Sequence, residues 1–162
     1  MESARLRLRR FTLADLPNMR ELETNPQIVK FTPYRVPQTE AQTLARLEKV
    51  ISSDHGSMGI WAVELKENAD FVGWFMLLDT KLVYPELGFM IVERHWDKGF
   101  ATEAAQALVE YGFDKLGMRG VLAITNQGNL ASKKVLGRVG FTFREEIEEG
   151  DSKLDMYELR KK

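Results

Sequence analysis

The stretch from Glu86 to Thr125 reads strand, helix, strand, and it limits what this chain can fold into. In "ELGFMIV", Glu86, Gly88, Met90 and Val92 fall on one strand face, and Leu87, Phe89 and Ile91 on the other. From about Gly99 to Leu116, small and apolar residues recur at helical spacing: Ala101, Ala104, Ala105, Leu108, Gly112 and Leu116. "GVLAIT" is apolar without alternation, which suits a central strand covered on both faces. Two strands joined through such a helix pair in parallel, with a right-handed crossover.

The flanking segments complete a mixed α/β (α+β) sheet with helices around it. "RLRLRRF" alternates with period two and reads as a half-buried strand. Thr12 is placed to cap a helix, with Asp15 three residues on. The next segment carries Pro26, Pro33 and Pro37 and should be irregular. Thr39 can cap a second helix, running to about Ile51. "MGIWAVEL" and "FVGWFMLLD" form a hairpin through Lys66–Asp70, and Pro85 stands near the start of the next strand. A short helix over Asn129–Arg138 precedes "FTFREEIEE" and "KLDMYELR", which turn back at Gly150-Asp151. About seven strands are expected, mostly antiparallel, in one domain over residues 1–162.

Composition removes several function classes. The net charge of −1 gives no reason to expect nucleic acid as a partner. The chain has no cysteine, so it has neither disulfides nor a cysteine nucleophile; this suits a cytoplasmic protein. The Arg/Leu alternation at the start is unlike a signal peptide, and no apolar run approaches the roughly 20 residues of a membrane span. His55 and His95 are 40 positions apart, and no metal-ligand spacing surrounds them. Neither a membrane nor a metal is therefore expected.

The start of the long helix raises a chemical question. Its first N–H groups lack partners within the helix, and the helix dipole adds positive charge there, so an anion such as phosphate can bind. Gly99 permits close approach and unusual backbone angles. The loop is not a Walker A motif, because Lys98 precedes Gly99, and it is not a dinucleotide G-x-G-x-x-G. The helix start stands within a longer pattern: E-x-G-F, W-x-K-G-F-A-T-E-A, N-x-x-S and V-G-F, all within Glu86–Phe141.

With that pattern the chain resembles the GNAT superfamily of acetyl-CoA-dependent N-acetyltransferases. It is most similar to the branch that includes the ribosomal-protein N-terminal acetyltransferases. The likeness runs from "LRLRRFTLADLPNM" to "DMYELR"; Trp96 departs from the general Q/R-x-x-G-x-G/A pattern, as this branch does. The resemblance implies that the main-chain amides of Lys98, Gly99, Phe100, Ala101 and Thr102 cradle the coenzyme A pyrophosphate. It implies that the backbone of Met90, Ile91 and Val92 pairs with pantetheine as an added strand. It places Asn129 on the pantetheine arm or an ordered water, and Ser132 at the departing sulfur. Lys134, with Lys133 and Arg138, is a candidate for the 3′-phosphate; the alternative is a solvated helix face with one or two useful charges.

An amine attacks a thioester only when neutral. At pH 7 an α-amine is about 10% neutral and a lysine amine about 0.04%, so deprotonation costs about 1.4 and about 4.6 kcal/mol. Glu86 is the candidate base, since a partly dehydrated carboxylate there would have a raised pKa; the alternative is a rim glutamate paired with a cation. His95 beside a turn reads as a surface or supporting residue. Tyr111 and Tyr157 are further candidates for assisting thiolate departure. Trp61, Trp74, Phe71 and Phe75 are core residues, with Trp74 also placed to line an acceptor cleft. The carbonyl oxygen would be met by a main-chain N–H near Val92. Without cysteine, direct transfer in a ternary complex is expected, from acetyl-CoA to an amine acceptor. Three readings stay open: a protein N-terminal α-amine, a small amine (antibiotic, polyamine or amino sugar), or a coenzyme A-binding module without turnover. A monomer or a homodimer fits equally.

Overall fold

The computed structural model describes residues 1–54 and 56–162. Its strands are β1 (Leu6–Arg9), β2 (Gly59–Leu65), β3 (Phe71–Leu78), β4 (Glu86–Ile91), β5 (Gly120–Asn126), β6 (Thr142–Glu149) and β7 (Ser152–Arg160). They form one sheet in the order β1-β2-β3-β4-β5-β7-β6. All neighbours run antiparallel except β4 and β5, which are parallel and joined by a helix as expected. The helices are α1 (Leu16–Thr24), α2 (Pro26–Val29), α3 (Glu40–Ser52), α4 (Phe100–Asp114) and α5 (Leu130–Val139).

One helix, α2, lies inside the segment expected to be irregular. Asn25 caps it, its side chain accepting the Gln27 N–H at 2.9 Å. Pro26 occupies the first helical position, where its missing N–H would be unpaired anyway. At α3, Thr39 and Gln42 satisfy each other: Gln42 N–H donates to the Thr39 hydroxyl, and Thr39 N–H to the Gln42 side chain.

Two apolar clusters lie on opposite sides of the sheet. Leu87, Ile91, Phe75 and Val121 pack with Leu108 of α4 and Leu136 of α5. Ala62, Phe71 and Val92 pack with Met19 and Leu22 of α1 and Leu47 of α3. The two faces of β4 thus separate as its alternation requires.

Asp15 does more than assist a cap. It is only 2% exposed, and it accepts both Nη atoms of Arg9 at 2.8 Å. Thr12 N–H and the Asn18 amide, each at 2.9 Å, also donate to it. Burial pushes its carboxyl up, but these four donors outweigh burial and hold it below the ordinary carboxylate value. A depressed folded-state pKa stabilises the fold above the unfolded value, and this is lost as pH falls through the folded one. Asp15→Asn is expected to destabilise the chain by about 2–3 kcal/mol at pH 7, because Arg9 loses its bidentate partner while keeping Glu64. Urea unfolding at pH 7 and in acid checks this: the gap between parent and variant should narrow as pH falls.

The feature that positions the site is the short contact between β4 and β5. They pair only at Glu86↔Leu122 and Leu87↔Ala123, with Leu122 N–H donating to the Pro85 carbonyl at 2.8 Å. Beyond that point β4 follows β3, through Ile91↔Gly73, and β5 follows β7 along its whole length. The two halves of the sheet part, and a gap opens at their C-terminal ends.

Candidate active site

A cleft of about 1130 Å³ occupies this gap. One wall comes from α1, α2 and the loop after them, and the other from the β6–β7 turn; residues of α5 and Trp96 also line it. Of the residues singled out from sequence, Glu86, Met90, Ile91, Asn129 and Ser132 line it, and so does Trp74.

Glu86 begins β4, at the root of the gap. Burial pushes its carboxyl above the ordinary range, the charge of Glu149 pushes the same way, and Thr80 opposes them in part. No lysine or arginine forms an ion pair with it among the described residues, unlike a rim glutamate. Glu149 and Asp151 line the same cleft, as do the cations Lys30, Arg35 and Arg46.

The edge of β4 is free beyond Leu87, but not through all the residues named from sequence. Val92 N–H donates to the Val72 carbonyl at 3.0 Å, and Pro85 faces β5, so strand alternation turns Met90 and Val92 toward β3. The main-chain groups of Phe89 and Ile91 are those that face the gap. The Ile91 carbonyl is already taken by the Trp96 indole N–H at 2.9 Å. Trp96, 40% exposed, thus covers an edge carbonyl at the mouth of the cleft. In sequence Trp96 marks only a departure from the Q/R-x-x-G-x-G/A pattern; that its N–H caps β4 is a property of the folded chain.

Beside Trp96 stands the turn into α4. Gly99 has φ +79°, a left-handed conformation that glycine adopts without strain, and Asp97 has φ +58°. No side chain caps the helix there. The first N–H bonded back is that of Glu103, to the Gly99 carbonyl, so the amides of Phe100, Ala101 and Thr102 have no helical partner. A Cβ on Gly99 would approach Arg5 at 3.5 Å, so this glycine serves the backbone angle more than close approach. Arg5 holds the turn from outside, donating to the Lys98 carbonyl at 3.2 Å and to Glu103 at 2.6 Å. From beneath, His95 is buried, its Nε2 2.6 Å from Asp70 Oδ2 and its ring edge-on to Phe100. It is a buried support rather than a surface residue. His55 lies outside the described residues.

Asn129 caps α5, its side-chain oxygen accepting the Ser132 N–H at 3.2 Å. That leaves its amide N–H₂ for a ligand. Lys133 is tied to Asp155 at 2.6 Å, whereas Lys134 is exposed. Tyr111 donates to the Ser57 carbonyl at 2.8 Å, and Tyr157 stacks edge-on against Phe143; neither lines the cleft. Tyr34 does; it stands among prolines without periodicity, so no local pattern in the sequence singles it out. Its ring lies under the Arg46 guanidinium at 4.6 Å, and burial raises its hydroxyl pKa, as does Glu23 nearby. No group of three His, Asp or Glu suited to a metal occurs among the described residues, and no helix there is long and apolar enough to cross a membrane.

Known proteins carry the same architecture. An uncharacterized N-acetyltransferase of Bacillus subtilis, YoaA, is 27% identical over 144 residues, 87% of this chain and 81% of that protein. A crystal structure of a GNAT-family acetyltransferase from Bacillus anthracis superposes with a TM-score of 0.88 at 23% identity, covering 99% of this chain and 97% of that one. RimL, a ribosomal alpha-N-protein acetyltransferase in complex with coenzyme A, gives 0.82 at 16% identity, with 98% and 95% covered. A chimera of the spermidine N-acetyltransferase SpeG from Vibrio cholerae and hSSAT gives 0.77 at 17% identity, with 97% and 96% covered. The acetyltransferase (GNAT) domain profile matches residues 5–142, most of the chain, and the protein therefore belongs to the GNAT family of N-acetyltransferases.

Proposed function

We propose that this single-domain protein transfers the acetyl group of acetyl-CoA to a primary amine in the cytoplasm, by direct attack within a ternary complex. The observation that carries the reading is Glu86. It is a partly buried carboxylate of raised pKa without a cation partner, at the root of the gap between β4 and β5.

The chain's own groups suit the cosubstrate. The amides from Lys98 to Thr102, around a left-handed Gly99, would hold a pyrophosphate at the start of a 15-residue helix. The free groups on the edge of β4, the N–H and carbonyl of Phe89 and the N–H of Ile91, beside Met90, would hold an extended amide chain, with Val92 anchoring the strand to β3. The Asn129 amide and Lys134 would meet the arm and the 3′-phosphate. Acetyl-CoA supplies an activated acetyl thioester; the protein supplies position and a proton route. Glu86 takes the proton of the acceptor ammonium, directly or through one water. The Ile91 N–H, rather than that of Val92, is the donor available to the carbonyl oxygen. Ser132 donates a hydrogen bond to the departing sulfur. The acceptor enters between the proline-rich loop and the β6–β7 turn.

Gly99→Val would force a β-branched residue into a left-handed turn. Acetyl-CoA affinity measured by calorimetry is expected to fall by about 10-fold or more, with the circular dichroism spectrum kept. Unchanged affinity would remove the turn from the cosubstrate site. The reaction itself is tested with acetyl-CoA and a panel of n-butylamine, spermidine, and a peptide with a free or a blocked N-terminus. Thiol release with acetylated product is expected for at least one free amine. Tight binding of acetyl-CoA with no product from any amine would favour a binding module and overturn the reading.

A further inference from the structure

We propose that the hydrogen bond between Arg35 and Ser152 is an acceptor-size filter across the rim of the cleft, admitting a slender amine and barring a polypeptide. This deepens the proposed function, since it rests on the acceptor entering between these two segments.

Arg35 Nη2 donates to Ser152 Oγ at 2.5 Å, across 117 positions of sequence. Both residues line the cleft, one on each wall. The contact is not between two loose loops. Upstream of Arg35, the Thr32 hydroxyl donates to the Val29 carbonyl at 2.6 Å and accepts the Arg35 N–H at 3.2 Å. The Tyr34 ring is held under Arg46, which grips the buried Glu23 with two nitrogens at 2.8 and 3.0 Å. Downstream, Gln38 N–H donates to the Glu23 carbonyl at 2.8 Å. Arg35 itself has φ +57°, a conformation uncommon outside glycine. On the opposite wall, Glu149 and Ser152 are paired around a tight turn with Gly150 at φ +57°. Two anchored segments therefore meet through one charge-assisted bond, and the groove between them is bridged.

Size selection follows from geometry. A small amine ends within the cleft. A polypeptide presenting its α-amine to Glu86 must continue outward past this rim, and an extended chain needs about 4.8 Å of width for its backbone alone. It passes when the bridge opens.

The test compares Arg35→Ala, Ser152→Ala and the double variant. The readout is kcat/KM for an octapeptide with a free N-terminus divided by that for n-butylamine. The ratio is expected to rise about 3- to 10-fold in each single variant, the net weight of one solvent-exposed hydrogen bond, and no further in the double. Ser152→Thr, which keeps a hydroxyl, should restore the parent ratio. An unchanged ratio in either single variant, effects that multiply in the double, or refusal of the peptide by every variant would overturn the filter. If every protein binds acetyl-CoA but none acetylates either amine, the acceptor reading fails first and takes the filter with it. A parent that acetylates n-butylamine isolates failure to the filter alone.

Discussion

Glu86→Gln is expected to lower kcat/KM by about 100- to 1000-fold, the usual span for a positioned general base, and at the same time to raise the melting temperature. The two effects share one cause. Burial, with the charge of Glu149, holds the Glu86 carboxyl above the ordinary carboxylate value in the folded chain. A raised folded-state pKa favours the protonated form, so its contribution to stability is complete below the unfolded value and lost as pH rises through the folded one. Once ionised, the side chain strains the fold, and glutamine removes that charge with nearly the same shape. Activity needs the opposite state, since only the carboxylate can accept a proton. The parent rate should therefore fall as pH drops through the raised pKa, and the variant should lack that limb. An identical pH profile in parent and variant would remove Glu86 as the base. A melting temperature that drops would show that Glu86 supports the fold instead.

Gly73→Ala is expected to destabilise the chain by about 3 kcal/mol or more, which for this length lowers the melting temperature by roughly 10 °C. A Cβ at Gly73 would stand 2.0 Å from the Met90 carbonyl oxygen and 3.0 Å from the Ile91 Cα. Both are backbone atoms and cannot rotate aside. Relief requires β4 to lift from β3, which disturbs the strand that carries Glu86 and the free edge at Ile91. Gly137, on α5, is the contrast: a Cβ there meets nothing within 4 Å, so Gly137→Ala should stabilise by about 0.5–1 kcal/mol through helix propensity. Thermal unfolding of both variants checks the pair. Equal effects would mean that the approach of Met90 to Gly73 is not a constraint.

The secondary structure was legible because its signals are local. The alternation of Leu6 and Leu8 placed β1, the Thr39–Gln42 box opened α3, and the unbroken apolar run after Gly120 marked a strand covered on both faces. The exception, α2, shows why proline misleads. In a proline-rich segment Pro26 reads as a breaker, but at the first turn behind a capping Asn25 it starts a helix. Within the site, residue identities were legible, whereas the direction of backbone groups was not. Whether Met90, Ile91 or Val92 offers its amide to the gap depends on which neighbour β4 pairs with, and that is a property of the sheet.

By itself, the sequence determined the alternation of strands and helices, the parallel unit around α4, and the glycine turn that leaves the amides of Phe100, Ala101 and Thr102 without helical partners. Those features arise from side-chain spacing and backbone preference within a few residues. Only the tertiary structure decided that β4 and β5 part after two pairs, that Trp96 caps Ile91, and that Tyr34 and Arg35 face Glu149 and Ser152 across one cleft. These depend on which distant segments become neighbours, through close packing and the pairing of buried polar groups, and no local pattern encodes that choice.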